Sequence, residues 1–175
     1  MKQTMPTSPK QMKNKTVIYL AKGEKEETAL LKRRAIADYF GFAELSVSDK
    51  GKPIITEPKG YGISVSHSSG VIALAIAPMD IGIDIEKRKS PVSQRLYAFF
   101  HESERNEDFY SLWVKKEAWG KLTGDGVFVQ KGKRLETDAV FTDISEEISR
   151  FADKPFSAFI ATPDYPTKIE LKLLI

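Results

Sequence analysis

The chain has 175 residues, 41% of them hydrophobic, enough for one substantial domain or two intimately packed small halves. A formal charge of +3 falls short of a nucleic-acid-binding signature, and the absence of cysteine excludes a disulfide framework and a thiolate metal site. No apolar run approaches membrane-spanning length and no signal-like apolar block opens the chain, so a soluble cytoplasmic protein with no membrane partner is expected.

Residues 1–15 are basic and contain prolines, and they read as a flexible tail. A short apolar strand is predicted at 17–21, followed by a helix at 24–40. There Leu30, Leu31, Ala35, Ala37 and Phe40 supply apolar area, Lys32, Arg33 and Arg34 crowd the polar surface, and Gly41 is the stop. Asp49, Gly51 and Pro53 predict a turn over 48–53. The clearest sheet signal spans 62–85, with turns expected at 66–70 and at Pro78. A short helix is predicted at 91–100. A second spans 103–122, where Phe109, Leu112, Trp113 and Lys116 recur at helical spacing and Gly124 ends it. Strands are expected at 126–129, 156–161 and 168–175, with Pro163 and Pro166 turning the chain between the last two. Each half therefore supplies a helix and an apolar strand pair. The expected architecture is α+β: two related halves, 16–79 and 80–175, packed as a pseudodimer, each with a helix against antiparallel strands, and a small-molecule cleft between them.

Two clusters carry the chemistry. In Gly82-Ile83-Asp84-Ile85-Glu86, strand alternation places both carboxylates on one face and both isoleucines on the other. In Trp113-Val114-Lys115-Lys116-Glu117-Ala118-Trp119-Gly120-Lys121, Glu117 and Lys121 are four positions apart and share a helical face. Each piece alone also suits an ordinary strand edge or helix surface. Together, three carboxylates without cysteine suit Mg²⁺ better than zinc, and the neighbouring lysines suit a phosphate. Mg²⁺ would orient a pyrophosphate while a carboxylate or bound water accepts a proton from an incoming hydroxyl.

Further polar residues are candidates for an anionic ligand. In Ser66-His67-Ser68, His67 is expected just after a strand, either donating to a phosphate or lying in a surface turn. No Gly-x-Ser-x-Gly signal accompanies these serines, so a serine hydrolase is poorly supported. Lys52 extends from the Gly51-Lys52-Pro53 turn, and Arg33 and Arg34 either clamp a phosphate or solvate the first helix. Lys116 and Lys121 are stronger candidates because a carboxylate lies beside them. Trp113 and Trp119 read as packing residues, and no phosphate-cradling glycine fingerprint is present.

Taken in order, Gly51-Lys52-Pro53, Ser66-His67-Ser68, 82–86 and 113–121 resemble the 4′-phosphopantetheinyl transferase family, especially its longer pseudodimeric branch acting on carrier proteins. The resemblance implies transfer of the phosphopantetheine arm from coenzyme A to a serine of an apo acyl, aryl or peptidyl carrier protein, by a monomer using Mg²⁺. It implies Asp84, Glu86 and Glu117 at the metal, with Glu117 or a metal-associated water as base. It also implies Lys121 at the pyrophosphate, His67 at the 3′-phosphate and Lys52 at the donor cleft. The donor-binding set is then Lys52, Ser66, His67, Lys116 and Lys121, with Arg33 and Arg34 standing in for an abbreviated N-terminal clamp. The acceptor is expected beside 99–109, with Arg95 and Arg105 toward its acidic residues. The alternatives are a noncatalytic carrier-protein-binding module and a metal-dependent phosphate-ester hydrolase.

Overall fold

Along the chain the strands are β1 (Thr16–Lys22), β2 (Glu44–Val47), β3 (Pro53–Glu57), β4 (Gly62–Ser68), β5 (Val71–Ala77), β6 (Gly82–Lys87), β7 (Val140–Asp143), β8 (Phe156–Thr162) and β9 (Ile169–Leu173). The helices are α1 (Thr28–Tyr39), α2 (Phe109–Thr123) and α3 (Ser145–Ala152). The computed structural model describes residues 14–92, 94–126, 131–135, 137–166 and 168–174. Most of the expected tail and of the strand expected at 126–129 lie outside them.

Every residue of β5 is buried, as a strand covered on both faces must be. Ile72, Leu74 and Ile76 pack with Leu31, Ala35 and Tyr39 of α1. The intervening Val71, Ala73, Ala75 and Ala77 enter a second core with Ile83 and Ile85 of β6, Ile160 of β8 and Ile148 of α3. β5 belongs to a sheet of order β4-β5-β1-β9, and β6, β8 and β7 form a second sheet in the order β6-β8-β7. The fold is α+β, with mixed sheets flanked by helices in two similarly built halves packed together. Within the first sheet β9 runs parallel to β1 and thus returns the end of the chain to the first half. Lys15 pairs with Glu170 there, and Lys172 bonds Asp38 of α1 at 2.6 Å. Among the described residues no helix is long and apolar enough to cross a membrane.

Three sequence expectations are corrected. Ser66, His67 and Ser68 continue β4, and the turn is confined to Ser69 and Gly70, both with positive φ. The helix expected from Ser103 begins at Phe109, because Asp108 caps it by accepting from Ser111 N at 2.8 Å. Upstream, Glu102–Glu104 is a separate 3₁₀ turn capped by the His101 side chain. The 24–40 helix likewise opens with a 3₁₀ turn, Lys25–Glu27, before α1. The β2–β3 hairpin, β7 and α3 were not anticipated. All three are short, and α3 offers only Ile148 and Ala152 as its buried pair.

Candidate active site

β6 and α2 bring the acidic cluster together. Ile81, Ile83 and Ile85 enter the core, so alternation turns Gly82, Asp84 and Glu86 toward α2. Gly82 makes the approach possible: a Cβ there would lie 1.9 Å from the Ala118 carbonyl oxygen and 2.6 Å from Leu122 N. With the helix this close, Lys121 Nζ reaches Asp84 Oδ1 at 2.7 Å and donates to the Ile83 carbonyl at 3.1 Å.

Asp84, Glu86, Glu117, Lys121, Ser66 and His67 line one cavity of about 430 Å³. Asp84 is only 4% exposed. Burial pushes the Glu117 carboxyl up to about 7, reinforced by Asp84 and Glu86 and partly offset by Lys121. Burial also raises Glu86, with Asp84 adding to the rise, while the hydrogen bond from Ser68 pulls the other way. Three carboxylates crowded around one lysine leave an excess of negative charge in a partly desolvated place.

A divalent cation would relieve that excess. Asp84 Oδ2 is buried without a hydrogen-bond partner, while Oδ1 receives both Lys121 and Ser66. An orphaned carboxylate oxygen of this kind fits a hard, oxygen-seeking ion. Among the described residues no three His, Asp or Glu side chains converge as a ready-made metal cage. The side chains at hand offer oxygen donors only, the chemistry of a hard divalent ion rather than of zinc.

Other candidates separate. His67 is exposed at the cavity, on the face of β4 that carries Ile63 and Val65. Lys25, from the turn leading into α1, and Thr28, the first residue of α1, line the same cavity and were missed in the sequence. Their only signal was position: Lys25 sits among Glu24, Glu26 and Glu27, which makes it look like a solvated charge run. Arg33 and Arg34 lie exposed further along α1 and do not line this cavity. Lys52 Nζ donates to the Leu122 carbonyl at 2.6 Å, tying the 48–52 turn to the end of α2. It lines the next cavity, of about 230 Å³, which shares Val65 and Lys121 with the acidic one. A third, of about 430 Å³, shares Lys52 and Gly124 with that one.

Lys116 is a correction to the sequence reading. It is 1% exposed, pairs with buried Glu104 at 2.9 Å and donates to the Lys133 carbonyl at 2.6 Å. Its helical spacing with Phe109, Leu112 and Trp113 puts it on the aromatic side of α2, away from Glu117. Trp113 stacks on Phe109 at 6.1 Å, and Trp119 Nε1 donates to Thr137 Oγ1 at 2.7 Å, so both tryptophans serve packing.

The α+β fold thus carries an acidic cluster beside Lys121 in one cavity, with Lys52 lining the next. No family model matches the chain. It is similar to a 4′-phosphopantetheinyl transferase of Bacillus subtilis, 31% identical over 113 residues, covering 56% of this chain and 50% of that protein. It is also similar to the 4′-phosphopantetheinyl transferase psf-1 of Bacillus pumilus, 30% identical over 89 residues, covering 44% and 38%. Similarity extends to the 4′-phosphopantetheinyl transferase ffp of Bacillus subtilis, 33% identical over 94 residues, covering 47% and 42%. The chain spans at most about half the length of these relatives. At family level it matches the longer, pseudodimeric branch of the phosphopantetheinyl transferases, at modest identity over part of its length.

Proposed function

We propose that the chain is a phosphopantetheinyl transferase that moves the 4′-phosphopantetheine arm from coenzyme A to a serine of an apo acyl, aryl or peptidyl carrier protein. The observation that carries this reading is the single cavity shared by Asp84, Glu86, Glu117, Lys121 and His67, opening into a cleft that passes Lys52. In the reaction the serine oxygen bonds to the donor phosphorus as the phosphorus–oxygen bond of the pyrophosphate breaks. Adenosine 3′,5′-bisphosphate leaves.

Asp84, Glu86 and Glu117 would hold Mg²⁺, which when bound neutralises charge on the pyrophosphate and on its leaving oxygen. Lys121 adds a fixed positive charge beside them, and Asp84 anchors its ammonium at 2.7 Å. Glu117 or a metal-associated water beside it would take the serine proton, since Glu117 lines the same cavity as Asp84, Glu86 and Lys121. Lys52 and Ser66 border the donor, with His67 toward its 3′-phosphate. The exposed Arg95 and Arg105 lie on the acceptor side, suited to an acidic carrier surface. A cytoplasmic monomer divided near residue 79 completes the reading.

The test incubates purified protein with Mg²⁺, coenzyme A and a panel of apo carriers, followed by intact-protein mass measurement. Expected is addition of the arm to serine-containing carriers and none to their Ser→Ala forms. Binding of carriers without mass gain would favour the noncatalytic module. Phosphate release without transfer would favour the hydrolase.

His67→Ala is expected to discriminate against the donor's 3′-phosphate. A charge-assisted contact of roughly 1.5–3 kcal/mol predicts that the preference for coenzyme A over 3′-dephospho-coenzyme A shrinks about tenfold or more. Steady-state kinetics with both donors measures this, and an unchanged preference in a folded variant removes His67 from that role.

A further inference from the structure

The alternating serines of β4 join two sheets that, among the described residues, share no main-chain ladder. Ser64, Ser66 and Ser68 are spaced by two, so all three hydroxyls project from one face of the strand, toward β6. Ser64 Oγ accepts from Ile83 N at 3.0 Å, Ser66 Oγ from Ile85 N at 3.3 Å and Ser68 Oγ from Lys87 N at 3.2 Å. Each hydroxyl therefore takes the place of a carbonyl across the junction, and each keeps one proton to give. Ser66 gives its proton to Asp84 Oδ1 at 2.7 Å, and Ser68 gives its proton to Glu86 Oε2 at 2.9 Å. For Ser66 and Ser68, the backbone N–H that fixes the hydroxyl belongs to the residue following the carboxylate it serves. The junction between the halves and the aim of the acidic pair are thus one hydrogen-bonded unit.

From this geometry we infer that Ser68 is a positioning residue for cation binding. It does not line the cavity that Glu86 lines, so it acts through Glu86. By engaging Oε2 it holds one rotamer of a long carboxylate side chain and leaves the second oxygen for an ion. The inference rests on the acidic cluster being the cation site. Outer partners of metal-ligating carboxylates are worth about 10–100-fold in metal affinity.

The experiment titrates Mn²⁺ into the full chain without donor or carrier and reads free Mn²⁺ by electron paramagnetic resonance, with thermal unfolding followed in parallel. Ser68→Ala is expected to weaken Mn²⁺ binding about tenfold. Ser68→Thr, which keeps the hydroxyl, should restore affinity to within about threefold of wild type. Ser64→Ala removes a rung of the same junction that has no carboxylate contact among the bonds described, so it should lower the unfolding midpoint by a few degrees with Mn²⁺ affinity unchanged. Should Ser68→Ala fail to fold, Ser68→Cys fills a similar volume with a weak donor and is expected to show the same loss. Equal Mn²⁺ affinity in wild type and a folded Ser68→Ala or Ser68→Cys overturns the role of Ser68 while leaving the site intact. No Mn²⁺ binding by wild type overturns the site reading and the inference with it.

Discussion

Glu117→Gln is expected to lower carrier modification by about 100-fold or more and, at the same time, to make the metal-free protein more resistant to heat. The first effect follows from losing a carboxylate at the proposed reacting centre, where one oxygen contact or proton acceptor is worth about two orders of magnitude or more. The second follows from electrostatics. Glu117 is half-buried and faces Asp84 and Glu86, so the folded protein holds its proton up to about pH 7, against an ordinary value of 4.5. Between those values the folded state binds a proton that the unfolded chain has released. Stability from this group is therefore present at low pH and is lost as pH rises through that window. A shift of this size corresponds to about 3 kcal/mol at most, and solvent screening at a half-buried position leaves on the order of 1–2 kcal/mol. Removing the charge should return that stability at pH 8 and add little at pH 4.

Calorimetric scans of both proteins across pH 4–8 without metal check the sign, and transfer assays at limiting Mg²⁺ check the rate. Asp84→Ala should lose activity to a similar extent without the thermal gain. It strips Lys121 and the Ser66 hydroxyl of a buried acceptor, which costs stability. Folded Glu117 and Asp84 variants that transfer the arm at near wild-type rates would remove the acidic cluster from the mechanism.

Gly82→Ala is expected to be among the most damaging small substitutions in the chain. The added methyl would lie 1.9 Å from the Ala118 carbonyl oxygen and 2.6 Å from Leu122 N, both rigid backbone atoms of α2. No rotamer of an alanine can relieve that contact, so the helix or the strand must move. Overpacking of this kind costs about 3 kcal/mol or more where neither neighbour yields. The displacement would act on the site too, since α2 carries Glu117 and Lys121 while β6 carries Asp84. Urea unfolding should show a lowered midpoint, with Mn²⁺ affinity falling in whatever fraction remains folded. A variant with wild-type stability and affinity would mean that α2 does not approach β6 as closely as described.

The legible part of this protein rests on short-range periodicity. Alternation in 81–86 suffices to put isoleucines in the core and carboxylates opposite them, because neighbouring strand side chains cannot share a face. Likewise a spacing of four sets Lys121 above Glu117 on any helix. The same reasoning, followed around α2, separates Lys116 from Glu117 by about 100°. Adjacency in sequence concealed this, and burial against Glu104 makes it plain.

Contacts between distant segments were decided only by the tertiary structure. Lys25 and Thr28 reach the cavity because α1 packs on the β5 face, and nothing local to Lys25 marks it. The serines of β4 read locally as a turn, since Ser favours turns when nothing else occupies its hydroxyl. Here the backbone N–H groups of β6 occupy it, from 19 residues away along the chain. β9 crosses back to β1 for a comparable reason: its partner lies at the other end of the sequence, beyond the reach of any local pattern. The sequence by itself determined which side chains share a face. The packing of β6 against α2 and β4 determined which faces meet, because that choice depends on long-range burial and on a glycine small enough to permit it.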